Sequence, residues 1–480
     1  MKHLPPVSRA LPACALLLAG CAAQAPYVPP RIDVPEHFKQ AAQAQQAGLW
    51  QPARHADGTA PLAVPAAWWT VYGDPELDRL QALAAQGSPS LAQAVARLRA
   101  AQAAVAGSQT GLWPTLGASA SAQRARSGTG GDSSARSGAT ASSYSLGLNA
   151  SWELDLWGRL SGAVDAAQAG VQASAADLAA ARLSLQASVA QAYFSLRAAE
   201  AQMQLLQETL AAYAQSWQVT RNRYRAGVAS SADVAQAEAQ YKSTQAQLLE
   251  SQAGRAQLEH ALAALLGLPP AAFDLPPTGV LPAPPAVPGE LPSQLLERRP
   301  DIAAAERRAA AANAQVGVAR AAYFPALTLS AAAGYRGASL SDLVSAPHLF
   351  WSLGPQLAVA LFDGGARDAA VESARAALDL AAATYRQTVL AALQEVEDNL
   401  VAAASLAREQ QVQQEAVAAA QKALDVATNQ YQAGTVAYLN VLSAQTTVLA
   451  ARRSLLDVRS RRLAAVNALL KNLAGPWGPA

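Results

Sequence analysis

Hydrophobic residues recur along the chain with two different periods, and each period predicts a different kind of element. A spacing of seven residues runs through two stretches, at about residues 165–224 and 368–431, and predicts helices with left-handed supercoiling. The first stretch carries Val189, Leu196, Met203, Leu210, Trp217 and Tyr224, with Ala192, Ala199, Leu206 and Tyr213 at the second seam position; the second carries Val389, Val396, Ala403, Gln410, Val417, Leu424 and Tyr431. At 1.5 Å per residue these helices are about 90 and 96 Å long, and such lengths demand a coiled-coil setting.

Shorter helical runs accompany the long ones, at about residues 88–112, 230–266, 301–324 and 436–474. In each half of the chain, two short runs laid end to end have about the length of the long run. The pattern therefore predicts that each half consists of one long helix beside two stacked short ones.

A period of two marks four further segments, in which apolar residues alternate with serine, glycine and other small or polar residues. The apolar series are Leu116–Ala122 and Leu146–Leu154 in the first half, and Leu327–Tyr335 and Trp351–Leu361 in the second. About ten residues of this alternation match a membrane β-strand, and the serine and glycine face suits a wet lumen better than the core of a soluble hairpin.

Four strands cannot close a barrel, and an open sheet edge cannot lie in lipid. The chain is therefore predicted to oligomerise with four strands from each subunit. A dimer would give eight strands and a trimer twelve, and the small inward-facing residues favour the wider barrel.

The two halves are copies of each other. Trp113-Pro114 corresponds to Phe324-Pro325, and the turn Tyr224–Gly227 corresponds to Tyr431–Gly434. The predicted organisation is a signal peptide (1–20), an N-terminal arm (21–87), a first repeat (88–268, hairpin 115–154), a proline-rich linker (269–299), a second repeat (300–475, hairpin 326–362) and a tail (476–480). The linker region from 269 to 292 holds nine prolines, which forbid a long helix.

The N-terminal segment reads as a targeting signal, because Lys2 and Arg9 precede an apolar run too short to span a bilayer. It ends in Leu18-Ala19-Gly20-Cys21, which resembles a bacterial lipobox; an ordinary signal with a chance cysteine is the alternative. The resemblance implies that Cys21 carries diacylglycerol and palmitate, the only added groups expected, and Ala22 in place of Asp implies outward sorting.

Composition argues against two classes of protein. The formal net charge is +2 and only 15% of residues are charged, so the chain lacks the concentrated basic stripe of a nucleic-acid surface. The five histidines are scattered without metal-ligand spacing, and the mature chain offers no free thiol nucleophile and no phosphate-binding loop. We therefore expect no enzyme and no metal site.

Several motifs together resemble the outer-membrane factors of the TolC/OprM type, in their lipidated, NodT-like branch, over about residues 65–475. The motifs are Trp68-Trp69 with Gly73-Asp74-Pro75, Arg298–Ile302, Ala322–Pro325, Leu361–Gly365 and the two Tyr-x-Ala-Gly turns at Tyr224 and Tyr431. The resemblance implies a mainly α fold in which a homotrimer forms a twelve-helix barrel continuous with a twelve-stranded outer-membrane barrel. It also implies a passive efflux duct in the outer membrane, with a periplasmic adaptor and an inner-membrane pump of the RND class as partners.

The same resemblance places an entrance gate at the helical tips. Tyr431 matches the family's gating tyrosine and Asp233 its acidic partner on the neighbouring hairpin, with Tyr224 at the corresponding turn of the first copy. Val436 stands where the family has an arginine, and Asn440 and Ser443 stand where some members have a double ring of acids. The adaptor is expected to dock on the two turns, at Ala226, Gly227, Val228, Ala433, Gly434 and Thr435.

Two other functions remain open from the sequence. The chain could serve as the outer-membrane channel of a type I protein secretion system, or as a lipid-anchored coiled-coil scaffold, although a scaffold leaves the four alternating strands unexplained. The substrate is undetermined. Met203, the one methionine of the mature chain, argues weakly against a path for soft copper or silver ions.

Overall fold

The computed structural model describes residues 27–46, 50–51, 67–126, 140–288 and 299–473. The signal peptide with Cys21, the tail from residue 476 and the linker residues 289–298 lie outside this part of the chain. Within it the helices are α1 (Ala41–Gln46), α2 (Pro75–Gly87), α3 (Pro89–Thr110), α4 (Arg159–Arg225), α5 (Ser231–Leu266), α6 (Pro300–Ala321), α7 (Ala366–Gln432) and α8 (Tyr438–Leu473). The strands are β1 (Trp50–Gln51), β2 (Thr115–Arg126), β3 (Thr140–Leu154), β4 (Val287–Pro288), β5 (Ala326–Gly337) and β6 (Leu349–Ala358).

The chain forms two compact units, and each draws on both sequence repeats. The first contains Arg97–Ala175 and Ala304–Arg386 together with residues 27–31. The second contains Ile32–Ala96, Ala176–Ala303 and the chain from Gln387 onward. The compact units therefore do not coincide with the duplicated halves.

The two long helices each have 67 residues and begin in the same way. Before α4, Asp155 accepts hydrogen bonds from the backbone N–H groups of Leu160 and Ser161 at 2.9 and 2.7 Å. Before α7, Asp363 accepts from the N–H groups of Gly365 and Arg367 at 3.1 and 3.3 Å. A carboxylate at this position satisfies N–H groups that have no partner inside the helix, so each long helix has a defined start.

The seven-residue seam is buried or half-buried at every predicted position except Tyr224. Val189, Leu196, Val389 and Val396 are fully buried. The prediction is wrong at Tyr224, whose side chain is 49% exposed, because this residue lies in the last turn of α4 beside an exposed turn.

The first unit holds a four-stranded antiparallel sheet in the order β2-β3-β5-β6. The two hairpins are joined by the pairing of β3 with β5, in a register that sets Leu148 opposite Ala333. Leu148 also lies opposite Ala118 of β2, and Ala331 of β5 lies opposite Leu353 of β6. Since side chains alternate between faces, this register collects the apolar series of all four strands on one face and the serine- and glycine-rich series on the other.

The apolar face of the sheet is exposed in the single chain: Leu116, Trp351 and Leu353 are 74%, 75% and 65% exposed. The last strand is shorter than predicted, because β6 ends at Ala358 and not at Leu361. Its partner β5 starts at Ala326, directly after Pro325, which has no N–H group to extend the ladder.

The second unit contains a core that the sequence analysis missed in part. No helix was predicted in the N-terminal arm (21–87), yet its end forms α2, with Asp74 accepting from the N–H groups of Glu76 and Leu77 at 3.0 and 3.3 Å. Leu77 of this helix and the preceding Trp68 are completely buried. The Asp74-Pro75 pair is a helix-start signal, since proline is favoured at the first helical position.

No helix in the described ranges combines the length and the apolar character that crossing a bilayer requires.

Candidate functional site: the helical hairpin tips

Two turns of matching geometry connect the long helices to the helices that follow them. Gly227 and Gly434 both adopt a left-handed backbone, with φ of 76° and 77°. In the first turn the N–H of Val228 donates to the carbonyl of Arg223 at 2.9 Å, and in the second the N–H of Thr435 donates to the carbonyl of Gln430 at 3.0 Å. These bonds satisfy carbonyls left over at a helix end, a role for which a positive-φ glycine is suited.

The residues predicted to dock an adaptor are accessible at both turns. Ala226, Gly227, Val228, Ala433, Gly434 and Thr435 are all exposed. A Cβ atom added to Gly227 or Gly434 would meet no other atom within 4 Å. A residue other than glycine at either turn would thus be strained by the positive φ, while its Cβ atom would meet open space.

Asp233 is held at the start of its own helix. Its carboxylate accepts from the N–H of Ser230 at 3.0 Å, while the Ser230 hydroxyl accepts from the N–H of Asp233 at 3.1 Å. This reciprocal pair is a capping box and stabilises the first turn of α5.

Tyr431 belongs to an aromatic cluster behind the second turn. Tyr431, Tyr438, Val441 and Ala237 form its buried centre, and the rings of Tyr431 and Tyr438 meet edge to face with centroids 5.5 Å apart. The Tyr438 hydroxyl lies 3.2 Å from the Ser216 hydroxyl on α4. Burial raises the pKa of Tyr438, and this effect outweighs the hydrogen bond with Ser216, which lowers the pKa. The hydroxyl therefore stays protonated at neutral pH.

The expected hydrogen bond between Tyr431 and Asp233 is not formed within the chain. The Tyr431 hydroxyl is buried and has no hydrogen-bond partner among the described residues. The Asp233 carboxylate is instead occupied by the capping box of α5, because a backbone N–H three residues away satisfies it with no rearrangement of the tip.

A residue that the sequence analysis did not single out contacts Tyr431 instead. The guanidinium carbon of Arg223, in the last turn of α4, lies 4.6 Å from the centroid of the Tyr431 ring. Its Nη1 donates to the carbonyl of Gln432 at 3.3 Å. A comparison of the two repeats could have identified this residue. Gln430 occupies the corresponding position of the second copy, so only the first copy carries a charge there.

The remaining predicted gate residues differ in their surroundings. Val436 is half-buried and packs against the aromatic cluster. Asn440 and Ser443 are exposed on the first turns of α8. Among the described residues, no group of three or more histidine, cysteine or acidic side chains is placed to hold a metal ion. As predicted from the sequence, Asn440 and Ser443 thus present polar neutral side chains at the two positions where some members of the resembling family have acids.

Comparison with known proteins identifies what the chain resembles. The model of a family described as outer membrane efflux protein matches residues 80–268 and 291–475. The pyoverdine export outer membrane protein OpmQ of Pseudomonas aeruginosa is 36% identical over 418 residues, which cover 85% of this chain and 87% of OpmQ. The cation efflux system protein CusC of Escherichia coli is 31% identical over 478 residues, with 97% of this chain and 98% of CusC covered. Among solved structures, the outer-membrane channel OprN matches with a TM-score of 0.85 at 30% identity, over 95% of this chain and 99% of OprN.

Proposed function

The chain belongs to the outer membrane efflux protein family, and on that premise we propose that it is the exit duct of a tripartite efflux system. In this role it is an outer membrane channel that extends into the periplasm and conducts passively. The related proteins are named as channels and export or efflux proteins, which accords with a protein that transports and does not catalyse.

One observation carries the proposal: the sheet has an exposed apolar face and open edges. Among the described strands, β2 and β6 each pair on one side only, and the apolar series of all four strands lies on a single face. In lipid an open edge would leave backbone N–H and C=O groups without partners, at a cost of several kcal/mol each. Further copies of the chain must cover these edges.

We infer a homotrimer from the chemistry of the second face. Three copies supply twelve strands, and a closed barrel of that size encloses water, whereas eight strands leave an interior that side chains fill. Gly117, Gly147, Ser330 and Gly354 lie on the face opposite the leucines, and such small residues would leave an aqueous lumen open.

The proposed partners are a periplasmic adaptor and an inner-membrane pump of the RND class. The exposed turns at Gly227 and Gly434 are the proposed adaptor site, since their small residues permit close approach of other helices. Cys21 is the proposed attachment point of diacylglycerol and palmitate, anchoring the chain to outer-membrane lipid. The pump and adaptor would select the substrate, consistent with relatives named for cargoes as different as pyoverdine and cations.

Two measurements on the purified protein test the duct. Native mass measurement in detergent should give three times the subunit mass, and the same preparation should form discrete ion-conducting channels in planar bilayers. A stable monomer would contradict the trimer. A trimer that never conducts would contradict the duct and favour a lipid-anchored scaffold.

A further inference from the structure

Arg223 makes one of the side-chain contacts between the two hairpin tips of the second unit. It projects from the last turn of α4, and both groups that it contacts belong to the last turn of α7. One contact is the face of the Tyr431 ring, 4.6 Å from the guanidinium carbon, and the other is the carbonyl of Gln432 at 3.3 Å. No part of the turn geometry or of the helical seam requires an arginine at this position.

The chemistry of both contacts favours a cation. The face of an aromatic ring carries negative electrostatic potential and attracts a guanidinium. Gln432 is the final residue of α7, where unpaired carbonyls form the negative end of the helix dipole. Neither contact involves a carboxylate, so this contact between α4 and α7 depends on the charge of Arg223 and on the ring of Tyr431. The packing of Ala237 in the aromatic cluster and the Ser216–Tyr438 hydroxyl pair join the two hairpins separately.

The hydroxyl of Tyr431 takes no part in this connection. It is buried with no hydrogen-bond partner in the part of the chain that the structure describes, and the guanidinium lies over the ring itself. The Tyr431 ring also contacts the Tyr438 ring edge to face, at 5.5 Å between centroids. Tyr431 therefore acts here as an aromatic surface, for which phenylalanine is an adequate replacement.

We propose that Arg223 is a positioning residue for the entrance: it holds the Tyr431 ring, and with it the second hairpin, against the first hairpin in the closed state. The proposal rests on the duct function and adds the group that keeps the duct closed. Because Gln430 replaces the arginine in the second copy of the repeat, each chain carries one such contact, and a trimer carries three.

The test compares single-channel conductance and open probability of five variants purified as full-length trimers. Arg223→Gln removes the charge at similar length, and Arg223→Lys retains a cation without the planar guanidinium. Tyr431→Leu removes the ring, and Tyr431→Phe removes only the hydroxyl. Arg221→Gln is the matched control, because Arg221 is an exposed arginine in the same region of α4.

We expect Arg223→Gln and Tyr431→Leu each to raise the open fraction of the channel. A lost cation–π contact of about 1 kcal/mol corresponds to a factor of about five for every subunit that loses it. Arg223→Lys should lie between Arg223→Gln and the unchanged protein, because a lysine ammonium retains part of the attraction. Arg221→Gln should conduct like the unchanged protein. Tyr431→Phe keeps the ring, so its open fraction should stay well below that of Tyr431→Leu. Native mass measurement on each variant shows that the trimer is intact.

Two results would overturn the proposal while leaving the duct function in place. The first is an unchanged open fraction in Arg223→Gln alongside conducting wild-type channels. The second is opening by Tyr431→Phe equal to that by Tyr431→Leu, which would show that the hydroxyl, and not the ring, holds the entrance. If the wild-type trimer and all variants fail to conduct, the duct function itself is wrong and the role of Arg223 falls with it.

Discussion

Glu200 lies at the centre of a buried ionic cluster, and its removal gives a prediction whose magnitude follows from the structure. The Glu200 carboxylate pairs with Arg197 at 2.7 Å and with Arg255 at 3.2 Å, and the side chains of Glu200 and Arg197 are only 2% and 3% exposed. It also accepts a hydrogen bond from the N–H of Thr278 at 3.1 Å, in the segment that follows α5. The cluster thus ties the start of the proline-rich linker to α4 and α5.

Glu200→Ala would leave the guanidinium of Arg197 buried without its carboxylate. Breaking a buried pair by removing one partner costs about 3–5 kcal/mol, because the remaining charge is neither solvated nor paired. A loss of about 3–4 kcal/mol corresponds to an increase of about 100- to 1,000-fold in the local opening equilibrium. Glu200→Gln should have a smaller effect, since an amide oxygen still accepts from Thr278.

Hydrogen exchange at the N–H of Leu275 is the measurement. This N–H donates to Glu259 at 2.8 Å, an acceptor that Glu200→Ala leaves in place, so faster exchange reports opening of the segment and not a missing acceptor. The control is Asp457→Ala, which removes an ion pair with Arg461 whose side chains are 65% and 51% exposed and which is worth at most about 1 kcal/mol.

If exchange at Leu275 in Glu200→Ala stays within about threefold of that in the unchanged protein, the predicted cost of leaving Arg197 unpaired is wrong. It would mean that water or another group compensates the Arg197 charge. A second check uses the double variant Arg197→Met with Glu200→Leu, which replaces the pair by apolar side chains. It should be less destabilised than Glu200→Ala, because apolar replacement of a buried ion pair is often nearly neutral.

Three further predictions concern the anchor, the docking turns and acid stability. Cys21→Ala should abolish acylation and slow sorting to the outer membrane while leaving some barrel assembly. If the unchanged protein incorporates no radiolabelled palmitate at Cys21, the proposed lipid anchor is wrong. Gly434→Trp should abolish efflux while native mass measurement still shows a trimer. The control variant Gly434→Asn should retain efflux, because asparagine tolerates a positive φ. Full efflux by the tryptophan variant would contradict docking at this turn. Burial raises the pKa of Asp301, but the hydrogen bonds and charge of Arg299 outweigh it and hold the net pKa below the usual value. The stability from this pair is therefore present above about pH 4 and is lost as pH falls through the folded-state pKa of Asp301. In Asp301→Asn, the free energy of unfolding should depend less on pH over the acid range.

The sequence alone was sufficient to locate the two long helices, the four strands of the sheet and the duplication, although it did not reveal α2. The period of seven located both long helices, and the period of two located four strands, because these periods follow from helix and strand geometry without reference to distant contacts. The glycines of the two turns were equally readable, since Gly227 and Gly434 end long helices in the same sequence context and adopt the positive φ that such ends require. The family motifs then indicated the outer-membrane duct.

Which elements and side chains meet depends on long-range packing. Strand pairing across the repeats, β3 with β5, is a long-range choice that alternation within one strand does not encode. Asp233 illustrates the same limit at the tip, because its sequence position permitted both a distant tyrosine and its own helix start as partners. The carboxylate forms the local capping box, which avoids the entropy cost of ordering a distant side chain. The contact between Arg223 and Tyr431 joins residues more than 200 positions apart. Only the packing of two separate hairpins brings that charge and that ring together, and the sequence records it solely as an arginine that the second repeat lacks.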